Sequence, residues 1–215
     1  MEEKDTLEAG ALAIRNLGVI ERAYQLINNE ISNKLVFIYE KCINDCLPAQ
    51  GWKKELPCLE TEGYSDKTSW FSPMEWCPGE VKDSLAWFAV RQESPEGTDD
   101  LWFLTQLCGQ GKAQTGIRWE GDHKLIRPNG GNLSKWKIFT AEQNSKNPEL
   151  NKLGFRYEEG GWFFPLVVDA NLLADAYANE EMESVLKPVI ENCMQKILEA
   201  IPTFQKIMNT AKSNQ

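Results

Sequence analysis

The sequence predicts an α+β fold: a mostly antiparallel sheet of five to six strands packed by long N- and C-terminal helices. Three observations carry this expectation. Apolar residues recur at spacings of three to five through residues 6–47, the period of a helix. A second stripe, Leu186, Ile190, Cys193, Ile197, Ile201, Phe204 and Met208, repeats with four-three spacing. Between the two, short apolar runs are punctuated by Gly, Pro and Asn clusters, as strands and turns are. The 215 residues fit one domain, with a helical segment at 1–47, a sheet-containing core at 64–168 and a C-terminal helix at 179–212.

The first helical segment follows the stripe Leu12, Leu17, Ile20, Tyr24, Ile27, Ile31, Leu35, Ile38, Cys42 and Cys46. Asp5 and Glu8 have capping-box spacing, Gly18 is a point of interruption, and Pro48 follows the end. A straight helix of that length would span about 60 Å at 1.5 Å per residue, so a bend or two helices are expected. Residues 48–83, rich in Pro and Gly, read mostly as loop with one strand near Ser69–Ser72. A meander follows. Its strands are Ser84–Gln92, Asp100–Cys108 and Ala113–Glu120, joined by the turn residues Glu93-Ser94-Pro95-Glu96-Gly97-Thr98 and Gly109-Gln110-Gly111-Lys112. A turn centred on Gln110 and Gly111 sets Trp102 opposite Trp119 and Leu104 opposite Ile117, good cross-strand pairs.

Residues 121–135 read as a loop around Asn129-Gly130-Gly131, followed by a short strand at Trp136–Thr140. Thr140-Ala141-Glu142-Gln143 has capping-box form and opens a helix to about Leu153. Gly154–Tyr157 and Trp162–Val168 form a hairpin around Glu159-Gly160-Gly161. Asn179 caps the last helix, with Glu180, Glu181 and Glu183 favourable in its first turn. Pro188 sits near its start, and Pro202 is expected to kink it. The stripe on this helix is expected to pack on the sheet and the first helix; its other use is a seam between two copies, a dimer through the C-terminal helix.

Composition narrows the function classes. Lys and Arg number 23 against 32 Asp and Glu, a net charge of −9, with ordinary apolar (42%) and charged (26%) fractions. No run approaches the roughly 20 apolar residues of a membrane span. The acidic start Met1-Glu2-Glu3-Lys4-Asp5 is unlike a signal peptide. A cytoplasmic location without membrane contact is therefore expected, and with it reduced thiols for Cys42, Cys46, Cys58, Cys77, Cys108 and Cys193. A metal shared by Cys42, Cys46, Cys58 and Cys77 is the sharper alternative, but it lacks the tight paired spacing of zinc sites. His123 is the single histidine, and the hairpin register sets it roughly 30 Å from Cys108, too far for a thiol–imidazole pair. No Gly-x-Ser-x-Gly, Walker-type or dinucleotide loop occurs. The acidic balance argues against broad binding to duplex DNA and in favour of a partner with a basic surface. Of the eight tryptophans, most are expected in the core.

Three stretches are candidate functional sites. Asp99, Asp122 and Lys124 meet at the end of the expected hairpin, where Glu120, Asp122 and Lys124 alternate onto one face if the strand continues. This arrangement resembles the Asp…(Asp/Glu)-x-Lys signature of PD-(D/E)XK nucleases, although that family usually has Glu before the lysine. The resemblance covers residues 99–124 and implies two acids holding a divalent metal, magnesium or manganese, with the lysine orienting the attacking water. A basic stretch, Lys124, Arg127, Lys135 and Lys137 around the glycine loop and beside Trp136, offers cations and an aromatic ring to a phosphate or a single-stranded base, a nucleic-acid contact at 123–140. The loop from Trp70 to Pro78, with Trp70, Phe71, Met74 and Trp76 behind the acids Glu60, Glu62 and Asp66, offers contact residues for a basic partner.

The expected function is a non-catalytic acidic binding protein that docks a macromolecular partner, in the manner of phage anti-defence inhibitors or toxin-immunity proteins, with no cofactor. The alternative is a PD-(D/E)XK-like metal-dependent nuclease or a degenerate relative of one. The end of the hairpin discriminates: a nuclease needs Asp99, Asp122 and Lys124 converging in a cleft.

Overall fold

A computed structural model of the chain describes residues 3–58, 68–78, 83–94, 103–126 and 132–213, with side chains from residue 7. The fold is α+β. Six strands form one antiparallel sheet in the order β1-β2-β3-β4-β6-β5. They are β1 (Trp52–Glu55), β2 (Trp70–Pro73), β3 (Ala86–Glu93), β4 (Gln114–Gly121), β5 (Arg156–Glu158) and β6 (Gly161–Pro165).

The long helical start is broken. α1 (Glu3–Arg15) ends at Asn16, α2 (Leu17–Leu26) follows, and a π-helical turn at Ile27–Ile31 leads into α3 (Ser32–Cys46). The break falls two residues before Gly18, where Asn16 leaves the helical region (φ −117°, ψ 20°). Toward the other end, α8 (Ala170–Ala178) is followed by α9 (Met182–Ser213), which runs through both Pro188 and Pro202 without interruption. The stripe on α9 lies inside the chain: Leu186, Ile190, Cys193, Ile197, Phe204 and Met208 are all buried. These six pack into the core, and Ile201, partly buried, packs against it.

Phe204 marks the centre of that core. Its ring stacks on Trp119 at 4.8 Å and meets Phe88, Phe155 and Trp162 edge-on at 5.5 to 5.7 Å. α3 lies beside α9, joined at the surface by Lys41 and Glu183 at 2.8 Å. The buried carboxylate of Glu40 accepts the Ser69 hydroxyl at 2.6 Å, which ties α3 to the start of β2.

Several expected elements differ. The run expected as a strand at 100–108 is helical at α4 (Phe103–Leu107), and residues 95–102, with Trp102, lie outside the described residues. Both edges of β4 are already taken: Trp119 pairs with Phe88 and Trp162, and Ile117 pairs with Val90 and Phe164. No edge is left for Leu104, and a short apolar run buries Leu107 equally well from a helix. β1 occupies part of the expected loop, because Trp52 closes on Phe71 at 6.0 Å.

Trp136–Thr140 is not a strand but part of α6 (Leu133–Lys146), capped by Asn132, whose side chain accepts the Lys135 amide at 2.8 Å. Trp136, Phe139, Thr140 and Gln143 are buried together, an i, i+3, i+4, i+7 face. Thr140 therefore sits mid-helix with its hydroxyl on the Trp136 carbonyl, rather than opening a helix, and α7 (Glu149–Lys152) is separate. Asn179 closes α8 instead of capping α9, and Asp169 caps α8 through the amides of Asn171 and Leu172. The hairpin of β5 and β6 forms as expected around Glu159 and Gly160, both at positive φ.

Candidate functional site

Alternation along β3 and β4 sorts side chains to two faces. Phe88 and Trp119 point to α9, so Trp87, Ala89, Arg91, Arg118 and Glu120 point the other way. On that far face Trp87 stands opposite Glu120, and Trp70 of β2 stands opposite Ala89. A cavity of about 310 Å³ opens here, lined by Trp70, Trp87, Arg91, Asp122, Thr68 and Ser84 beside Ala89. That size suits a single side chain or a small ligand group.

The electrostatics of the cavity follow from three partnerships. Arg91 forms a two-point contact with Glu120, Nε to Oε1 at 2.6 Å and Nη2 to Oε2 at 3.0 Å, and its Nη1 donates to the Thr68 hydroxyl at 3.1 Å. The hydrogen bond to Glu120 raises the Arg91 pKa, so the guanidinium stays charged and already neutralised. Trp87 Nε1 donates to the same Glu120 at 3.0 Å, and Trp70 Nε1 donates to Glu55 at 3.0 Å. Each indole is thereby held by its edge. Among the described lining residues the charged side chains are Arg91, paired with Glu120, and Asp122.

Asp122 also caps α5 (His123–Ile126): its Oδ1 accepts the amides of Lys124 at 2.8 Å and Leu125 at 3.0 Å. β4 ends at Gly121, so the expected alternation of Glu120, Asp122 and Lys124 stops there, and Lys124 is an exposed residue of α5. Asp99 lies outside the described residues. Among the described residues no three His, Cys, Asp or Glu side chains gather where they could hold a metal ion, and this includes the alternative set Cys42, Cys46, Cys58 and Cys77. Burial holds the Cys42 thiol up at about 11 and raises Cys46, Cys108 and Cys193 as well, so these thiols stay protonated at neutral pH.

The other candidate residues separate. Trp70, Phe71 and Trp76 are all buried, Trp70 also lines the cavity, and Met74 is half exposed. Trp76 is held by its Nε1 on Gln205 at 2.5 Å. In the basic stretch Lys135 is exposed and Lys137 pairs with Glu159 at 2.8 Å. Trp136 is buried against Trp119, with its Nε1 on the Gly160 carbonyl at 2.9 Å. Arg127 and Asn129-Gly130-Gly131 lie outside the described residues, as do Glu60, Glu62 and Asp66. Sequence reasoning gave no role to Trp87 and Arg91, and it placed Glu120 beside Asp122 and Lys124 without its partners Arg91 and Trp87. Their signal was present in the alternation of Trp87, Ala89 and Arg91 against Phe88 and Val90 along the expected strand.

Compared with protein-family models, curated proteins and solved structures, the chain matches none. Among the described residues no helix is long and apolar enough to cross a membrane.

Proposed function

We propose that this chain is a non-catalytic binding protein that docks a partner protein with a basic surface, and that the cavity beside Trp87 receives an arginine or lysine side chain of that partner. One observation carries the reading. Two tryptophan rings and the Asp122 carboxylate surround a cavity whose own arginine is already neutralised by Glu120. An incoming cation would sit beside the indoles of Trp70 and Trp87 and the carboxylate of Asp122. The overall charge of −9 favours fast, salt-sensitive encounter with a basic groove. Phage anti-defence inhibitors and toxin-immunity proteins use that mode, and this chain fits their class.

A tetra-arginine peptide, followed by tryptophan fluorescence, tests the reading. Saturable quenching that weakens with salt is expected. Asp122→Asn keeps a capping side chain but removes the charge, and should weaken binding by about tenfold, the effect of one lost interaction worth 1.4 kcal/mol. No saturable binding, or equal binding by Asp122→Asn, would sink the proposal. A magnesium- or manganese-dependent fluorescence change that is lost in Asp122→Ala would move the assignment to the metal-dependent nuclease reading.

A further inference from the structure

Glu120 lies outside the lining of the cavity beside Trp87, yet it holds two side chains of that lining. Its Oε2 accepts the Trp87 indole N–H and Arg91 Nη2, each at 3.0 Å, and its Oε1 accepts Arg91 Nε at 2.6 Å. The two charges come from neighbouring strands, Arg91 from β3 and Glu120 from β4. In the ladder Arg91 stands opposite Gly116 and Glu120 opposite Trp87, so the guanidinium reaches along the sheet past the small side chain of Ala89. The Arg91 side chain is 34% exposed and that of Glu120 22%, so water screens the pair only in part. Glu93 also bears on Arg91, but its carboxylate is engaged by Arg118.

An unpaired guanidinium in a cavity repels an incoming cation, whereas one held at two points by a carboxylate presents little net charge. The same cavity therefore treats a cationic side chain in two ways, depending on a residue outside its lining. With Glu120 in place, Asp122 is left to attract the cation. Without Glu120, Arg91 opposes Asp122 and the attraction is cancelled.

We infer that Glu120 is the residue that makes this cavity selective for cations, acting on the ligand only through Arg91. The inference rests on the reading of the cavity as the seat of a partner's arginine or lysine. Its test uses differences between variants, because a change at either residue alters the charge by one unit whatever else borders the cavity. Calorimetric titration of tetra-arginine into the full chain at low salt compares the wild type with Glu120→Gln, Arg91→Gln and the double variant. Glu120→Gln keeps a carbonyl oxygen for the Trp87 indole, and Arg91→Gln keeps a donor for the Thr68 hydroxyl, so each change is chiefly one of charge.

The expected order is specific. Glu120→Gln weakens binding about tenfold, Arg91→Gln strengthens it by a similar factor, and the double variant regains most of what Glu120→Gln loses. A purely structural role for the pair gives another order, in which both single variants weaken binding and the double variant does not recover. Arg91→Gln binding no tighter than the wild type, or a double variant as weak as Glu120→Gln, overturns the inference. Thermal melts report which variants fold. Should Glu120→Gln not fold, the comparison of the wild type, Arg91→Gln and the double variant still decides, since only charge control makes Arg91→Gln the tightest of the three. A wild-type chain that does not bind the peptide removes the cation reading of the cavity and this inference with it; one that binds, with the wrong order among the variants, removes this inference alone.

Discussion

Phe204 illustrates how a single side chain organises this protein. Its ring touches Phe88, Trp119, Phe155 and Trp162, which come from β3, β4, the segment before β5, and β6. Phe204→Ala removes contacts on all four, and the rigid aromatic walls cannot collapse into the gap. A loss of about 3–5 kcal/mol is expected, read from urea unfolding midpoints. Asp122 is a milder case. Asp122→Ala deletes the cap of α5 and should cost about 1 kcal/mol, whereas Asp122→Asn should cost a few tenths at most. Cys42 gives a pH signature. Burial raises its thiol from 9.0 to about 11, so the folded state holds that proton more tightly than the unfolded chain. The contribution is whole below pH 9 and is lost as the pH climbs through about 11. Unfolding curves at pH 8, 10 and 11 should show this decline, with a shallower slope in Cys42→Ala.

At the scale of elements, close approach between strands decides what each position tolerates. Gly116 of β4 faces Pro165 of β6, and a Cβ there would run into the Phe164 carbonyl oxygen and the Phe163 ring. Gly116→Ala should cost about 1–3 kcal/mol through overpacking, detectable as a lowered thermal midpoint. The elements legible in the sequence were those with a long repeat or strong turn chemistry. The four-three stripe of α9 and the Glu159-Gly160-Gly161 turn are examples, and the structure has both. The short apolar runs were not legible. Phe103–Leu107 and Trp136–Thr140 each hold too few residues to separate a helical period from a strand period. Asn at position 132, a preferred capping residue, was the available sign that a helix begins before Trp136.

At the scale of the whole molecule, α2 and the rest of the chain are energetically unequal. Because α2 buries nothing, a chain lacking residues 1–26 should unfold within about 2–4 °C of the full-length protein, the shift of a 1 kcal/mol change. Calorimetry at matched low concentration checks this. Composition and local periodicity determined the α+β class, the antiparallel sheet, the helical ends and the acidic balance. Each of these depends only on which residues are near one another in sequence. The neighbours of β4, the burial of Phe71, Trp76 and Trp136, and the meeting of Trp87, Arg91 and Glu120 with Trp70 and Asp122 were decided only by the tertiary structure. Those outcomes depend on competition among distant segments for the same edge and the same buried face, and a local pattern records a segment's capacity to pack but not which partner it finds.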